Sequence, residues 1–211
     1  MASLGHVAVG LLAGRILKPT SLGAATKPML VFASLSLLPD LDYIGVALGV
    51  PDAGPCGHRG AAHSLIPALV IGVAAFLSAK SLSLPRWRIA TLAWLVVASH
   101  SLLDAMTVGS RGVPILWPFS FWRFEMPWRP IPDAPCGLAY LSLKGLHVAS
   151  IEFLQFLPIL GIALRPTNPP KVPASSTPSR RPRLLPLRRL NTPKRVAFGV
   201  LAHRVKRPAP K

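Results

Sequence analysis

Acidic residues are scarce in this chain: seven Asp and Glu among 211 residues, against 24 Lys and Arg, for a formal net charge of +17. Only 15% of residues are charged, whereas a soluble globular domain carries roughly a quarter. That deficit excludes an ordinary water-soluble domain. The two cysteines, Cys56 and Cys136, are too few and too far apart for a clustered-thiolate metal site. No Lys or Arg precedes the first apolar stretch and Arg15 interrupts it, a pattern that does not fit a secretory signal peptide. No internal repeat appears beyond the short phrases PDAGPCG at 51–57 and PDAPCG at 132–137. What is abundant is apolar: 51% of the residues are hydrophobic and mean hydropathy is +0.45, which excludes a wholly disordered chain.

The positive charge is unevenly placed. Residues 165–211 hold 13 of the 24 basic residues, 10 of the 24 prolines and no acid, so +13 of the +17 belongs to them. Proline breaks helices and removes donors, and this stretch reads as a disordered basic tail, with a short amphipathic piece at 196–205. Solvation is its simplest role; contact with anionic lipid headgroups is the sharper one, at about 1 kcal/mol per basic residue near the surface. No stacking platform or groove-reading motif accompanies the charge, which speaks against nucleic acid as a partner.

Residues 1–164 contain apolar stretches at 4–17, 29–50, 63–79, 89–106 and 148–164. A spanning helix needs about 20 apolar residues. The second and fourth stretches meet that length, the third and fifth come near it, and the first is short. The expectation is an all-α, multi-pass membrane bundle of four or five membrane helices, followed by the tail. Lys18, Lys27, Lys80, Arg86, Arg88 and the tail fall on one side if the helices alternate, and the positive-inside rule makes that side cytoplasmic. Cys56 and Cys136 then lie in outer loops, where an oxidising compartment would permit a disulfide.

Four of the seven acids, Asp40, Asp42, Asp104 and Glu152, lie in apolar stretches. So do His6, His63 and His100, with His58 and Arg59 just before the third stretch. Ionisable groups at such positions are costly and mark function by default. His100 and Asp104 are four apart and share a helix face. Gly57 and Gly60 place His58 on a loop, Ser64 reads as the cap of the next helix, and His58 and His63 can then converge. Pro39 breaks the second stretch just before Asp40. Imidazoles and carboxylates without thiolates suit zinc or a similar divalent ion. A set this large could hold more than one ion, and such sites clamp phosphoryl groups and activate water. The plainer readings are a satisfied histidine at His6, a cap or turn at Asp40 and Asp42, and a packed carboxyl at Glu152. Between 109 and 130, six of the fifteen aromatics (Trp117, Phe119, Phe121, Trp122, Phe124 and Trp128) form either an interfacial belt or a lid over the site.

The series GH at 5–6, LPDLD at 38–42, GHRGAAHS at 57–64, SHSLLDAMT at 99–107 and GVPILWPF at 112–119 resembles the YdjM-like family of bacterial inner-membrane proteins described as metal-dependent hydrolases. The resemblance covers about 4–165 and leaves out the tail. It implies that His58, His63, His100 and Asp104 are metal ligands, with Asp40, Asp42 and His6 next. Some members continue the acidic motif with a histidine where this chain has Tyr43. A distant similarity of the family to zinc phospholipases C and P1-type nucleases implies phosphoester chemistry.

The expected function is therefore a membrane-bound, metal-dependent hydrolase acting on a phosphoester or lipid-related substrate. Its metal is a divalent ion such as zinc, held by His58, His63, His100 and Asp104 with Asp40 and His6. Asp42 or Glu152 is the general base toward the attacking water, and Arg59 stabilises developing negative charge. The alternatives are a metal- or proton-coupled transporter, whose intramembrane carboxylates and imidazoles form a path, and a non-catalytic metal-binding membrane scaffold.

Overall fold

A computed structural model of the chain describes residues 3–18, 21–52, 54–81, 85–135 and 137–166. Of the expected tail at 165–211, the part from 167 onward lies outside the described residues, and so does Cys136. Cys56 is an exposed free thiol.

The described residues form six α-helices and no named strand: α1 (Ser3–Leu17), α2 (Leu22–Ser36), α3 (Asp42–Ala47), α4 (Leu65–Ser78), α5 (Arg86–Ala105) and α6 (Leu143–Leu164). Two helix starts differ from the hydropathy reading, and in both cases the cause is a cap. Ser21 is extended and its hydroxyl accepts from Ala24 N at 3.2 Å, so α2 begins ahead of the apolar run and takes in Lys27. Ser142 accepts from Gly145 N at 3.3 Å and starts α6 in the same way. Ser64 stands at the cap position of α4 as expected, yet its hydroxyl makes no capping bond. Leu65 N instead donates to Ile115 O at 3.0 Å, so the segment between α5 and α6 covers the start of α4.

The second stretch is broken as Pro39 requires. Helix α2 stops at Ser36, a 3-10 turn runs over Leu38–Leu41 with Pro39 in its first turn, and Asp42 opens α3. The two limbs are bent by 50°. Proline fixes φ and cannot donate to the preceding turn, and the bend carries Asp40 and Asp42 sideways out of the helix line.

Helix α1 is central, packing on α2, α5 and α6, while α4 packs on α5. The α1–α2 contact is close because α1 presents Gly10 and Gly14. A Cβ on Gly10 would meet Ala33 Cα and Phe32 O at 2.5 Å, and one on Gly14 would run into the backbone of Met29. Small residues four apart let helix backbones approach in this way in apolar surroundings. Phe32, Ala93 and Val96 close the core between α1, α2 and α5.

Among the described residues, only α6 is long and apolar enough by itself to cross a membrane; α2 with Leu38–Ala47 makes a second if the bent pair counts as one span. The expected four or five spans meet two physical obstacles. Helices α1 and α4 are short, at 15 and 14 residues, or about 21–23 Å at 1.5 Å per residue, against a hydrocarbon core of about 30 Å. Helix α5 has 20 residues but carries Arg86, Arg88, His100 and Asp104. The outer faces are nonetheless strongly apolar, with Leu69, Val70, Val73 and Leu77 of α4 and Leu154 and Ile162 of α6 all at least half exposed.

The segment between α5 and α6 is irregular, closed by an antiparallel bridge from Val113 to Phe124 and a parallel one from Thr107 to Ile131. Phe119, Phe121, Trp122 and Trp128 are 67–86% exposed, which suits an interfacial belt.

Candidate metal centre

The polar residues singled out in the apolar stretches, Glu152 excepted, converge at one end of the bundle. His100 and Asp104 come from the last turns of α5, Asp40 from the 3-10 turn after the break, His63 from a second 3-10 turn (Ala61–His63) that enters α4, and His6 from the first turns of α1. Each local feature has its reason in the chain. The i, i+4 spacing stacks His100 and Asp104 on one face, Pro39 turns Asp40 inward, and a tight loop delivers His63. In that loop a Cβ on Gly57 or Gly60 would collide with the carbonyls of Asp52 or Pro55.

One ligand atom from each of Asp40, His63, His100 and Asp104 lies within 4.8 Å of every other. The separations are 3.1 Å from His63 Nε2 to His100 Nε2, 3.7 Å and 3.4 Å from Asp40 Oδ1 to those two nitrogens, and 3.3 Å and 3.8 Å from Asp104 Oδ2 to the same pair. Zinc bonds to nitrogen and oxygen of about 2.0–2.1 Å in tetrahedral geometry put neighbouring ligand atoms about 3.3–3.4 Å apart. The residues therefore fit a single four-coordinate divalent ion. His63, His100 and Asp104 are fully buried, and a buried cluster of this kind needs compensation.

The imidazoles are also held the right way round. His100 Nδ1 is 2.6 Å from Ser36 O. A carbonyl only accepts, so the proton sits on Nδ1 and the Nε2 lone pair faces the cluster. His63 Nδ1 is 3.1 Å from Asp42 Oδ2 at an ion-pair distance, without completing a hydrogen bond, and this again turns Nε2 inward. Ser101 Oγ donates to His63 O at 2.5 Å and anchors the turn. Asp104 and Asp40 lie 3.3 and 3.7 Å from His63 Nε2 and Asp42 lies 3.1 Å from Nδ1, so carboxylates surround the ring. A metal taking Nε2 needs its lone pair, so any proton there would be displaced on binding.

The other expected site residues take distinct places. His58 does not join the four-residue group. Its Nδ1 pairs with Asp42 Oδ1 at 2.8 Å, and Asp42, His58 and His63 form a second, adjoining group. Asp42 also accepts from Arg59 N at 3.1 Å, so its oxygens are committed to holding this loop. Arg59 has the left-handed backbone (φ 59°) and is buried. Its Nε and Nη2 donate to Asp104 Oδ2 and Oδ1 at 3.0 and 3.4 Å. His6 stacks on His100 at 3.8 Å between centroids, with Nε2 3.6 Å from Asp104 Oδ1, and neither of its nitrogens completes a hydrogen bond. Glu152 stands apart from both groups: Oε2 accepts from Leu4 N at 3.0 Å, while Oε1 is buried without a hydrogen bond. Side-chain exposure rises from zero at the deep residues to 8% at Asp40 and Asp42 and 13% at His58, which marks the side from which the cluster is reached.

Three contributors were not read from the sequence. The Ser36 carbonyl and the Ser101 hydroxyl orient the histidines, and Arg123 donates from Nη2 to Arg59 O at 2.9 Å while its Nε bonds Arg111 O and Gly112 O. Only Ser101, beside His100 in the SHS motif, had a local signal. A backbone carbonyl has none, and Arg123 is 64 residues from Arg59.

Comparison with known proteins places the geometry in context. The family description "YdjM inner membrane protein" matches residues 1–167. The chain is 36% identical over 170 residues to the protein named "Inner membrane protein YbcI" from Escherichia coli (strain K12), covering 75% of this chain and 91% of that one. No solved structure matches.

Proposed function

We propose that this chain, which belongs to the YdjM inner membrane protein family, is a membrane-bound hydrolase that uses a divalent metal, zinc by its donor set, on a phosphoester or lipid-related substrate. One observation carries the reading: donor atoms on Asp40, His63, His100 and Asp104 that all lie within 4.8 Å of one another, five of the six separations being 3.1–3.8 Å. When bound there, the ion would supply Lewis acidity toward a phosphoryl oxygen or water that enters as a further ligand, because the four protein donors alone would close a tetrahedral site.

The protein's own groups have separate tasks. Asp42 and the Ser36 carbonyl fix the tautomers of His63 and His100. Arg59 holds Asp104 and keeps positive charge beside the cluster, where it also faces charge developing on a substrate. His6 is a reserve donor next to Asp104, and His58 guards the more open side. The commitments of Asp42 favour orientation over the general-base role; Glu152, with one free buried oxygen, keeps that role only if the substrate reaches it from the α1–α6 side. We further propose that the short apolar helices insert with α6 and the bent pair as a multi-pass bundle, with the basic tail on the cytoplasmic side. The apolar outer faces and the basic residues of 80–88 support that arrangement.

The test is to purify the full chain in detergent, count bound metal, and assay phosphomonoesters and phosphodiesters. The expected result is one equivalent of zinc-class metal and turnover lost in His100→Ala. Stoichiometric metal without turnover across the panel would favour a binding or transport role; no metal in the wild-type protein would end the reading.

A further inference from the structure

A second feature lies at the opposite end of α5, about 20 Å along the helix from His100 at 1.5 Å per residue. Its first turn carries Arg86, Trp87 and Arg88, all exposed, with Trp87 at 74%. The indole of Trp87 separates two apolar hollows. One, of about 320 Å³, lies between Gly72 and Phe76 of α4 and Trp87 and Trp94 of α5. The other, of about 290 Å³, lies against Ile16 and Leu92. Trp87 and Thr91 line both. Gly72 shapes the first hollow, since even a Cβ there would stand 3.1 Å from Trp94 Cβ.

Each hollow has a guanidinium at its edge. Arg86 Cζ sits 6.0 Å from the centroid of Phe76, whose ring packs 4.7 Å from that of Trp87. Arg88 lines the second hollow and reaches Ile16 O only at 3.4 Å. Neither arginine pairs with a carboxylate among the described residues. A tryptophan flanked by unneutralised arginines, above apolar hollows, is the pattern of a membrane interface. A guanidinium recognises phosphate by charge and by directed hydrogen bonds.

We propose that this end of α5 binds an anionic diacyl phospholipid, its phosphate at the first turn of α5 in the field of Arg86 and Arg88 and one acyl chain in each hollow astride Trp87. Charge selects the lipid: two arginines with no acidic partner favour a net negative headgroup over a zwitterionic one. The two hollows on either side of one indole select two chains. The site is independent of the metal centre, and neither reading depends on the other.

The experiment uses the full chain in non-ionic detergent, titrated with phosphatidylglycerol or phosphatidylcholine and read by native mass spectrometry. Wild type is expected to retain phosphatidylglycerol at least tenfold better, with the preference shrinking at high salt. Arg86→Gln with Arg88→Gln should abolish the preference, while Arg86→Lys with Arg88→Lys should keep part of it. Thr91→Trp, which fills the wall common to both hollows, should lower retention of both lipids. Circular dichroism verifies that each variant is folded. Equal retention of the two lipids by wild type would overturn the proposal, as would unchanged retention in the Gln pair and in Thr91→Trp together.

Discussion

Replacing His100 with alanine is the most direct probe of the metal centre. It removes one of four donors and also the 2.6 Å bond from Nδ1 to Ser36 O. Zinc bound by four protein ligands is worth about 10–16 kcal/mol, so one ligand carries about 3–4 kcal/mol, or about 10²- to 10³-fold in affinity at 1.4 kcal/mol per decade. Asp42→Asn is the comparison. It leaves all four donors in place and disturbs the carboxylate 3.1 Å from His63 Nδ1, an outer partner worth about 10- to 100-fold. Titration calorimetry of both variants with zinc should therefore rank wild type above Asp42→Asn above His100→Ala. The alanine variant also leaves the Ser36 carbonyl without its partner, at about 1–3 kcal/mol, and a melt of the metal-free protein measures that cost separately. Unchanged affinity in His100→Ala, or a loss in Asp42→Asn as large as in His100→Ala, would refute the four-donor geometry.

Other outcomes follow from the same contacts. A metal that takes His63 Nε2 competes with protons for that lone pair, and Asp104 and Asp40 at 3.3 and 3.7 Å favour the proton. Calorimetry in buffers of different ionisation enthalpy should show proton release on zinc binding, and affinity should fall as pH drops. Gly10→Leu should force α1 from α2 and lower the thermal midpoint, with an overpacking cost of about 1–3 kcal/mol or more. Gly23→Ala is the control, because nothing lies within 4 Å of a Cβ there. Arg123→Gln should free the Arg59 carbonyl and destabilise the 57–63 loop by about 2 kcal/mol, read as faster amide exchange there than in α6.

The helical class, the break at Pro39 and the identity of the clustered residues were all legible because each has a local chemical signature. Apolar runs mark helices, proline marks the break, and a carboxylate or imidazole in an apolar run marks itself. The grouping within the cluster was not legible. His58, His63 and Asp42 are within 21 residues of each other in the chain, yet which histidine nitrogen faces inward depends on Ser36 O and Asp42, contacts made by folding. The helix starts at Leu22 and Leu143 were missed because hydropathy weighs the apolar run and Ser21 and Ser142 act by capping geometry. The close α1–α2 contact had a signal, Gly10 and Gly14 four apart, but small residues carry no weight in a hydropathy reading.

The charges of the cluster argue for a cation on their own terms. Asp40, Asp42 and Asp104 contribute three negative charges to a space where Asp40 and Asp42 are 8% exposed and Asp104 not at all. Arg59, paired with Asp104 at 3.0 Å, offsets one of them. A proton on the facing imidazoles would offset a second, and the third has no partner of fixed charge. Yet that proton sits on a ring whose Nε2 faces His100 Nε2 at 3.1 Å, where Ser36 O has already claimed the His100 proton at Nδ1. A single proton between the rings can serve the nitrogens, but the unpartnered oxygens of Asp40 remain buried without a hydrogen bond, a cost that native interiors rarely leave standing. A divalent ion at the centre of the four donors neutralises the remaining charge, meets both Nε2 lone pairs and gives Asp40 its partner at once. A monovalent ion would leave one charge over, and a hydrophobic replacement of Asp40 alone would strand the two imidazoles. The arrangement is economical only if two positive charges arrive together, so chelation of the purified protein should lower its thermal midpoint as well as empty the site.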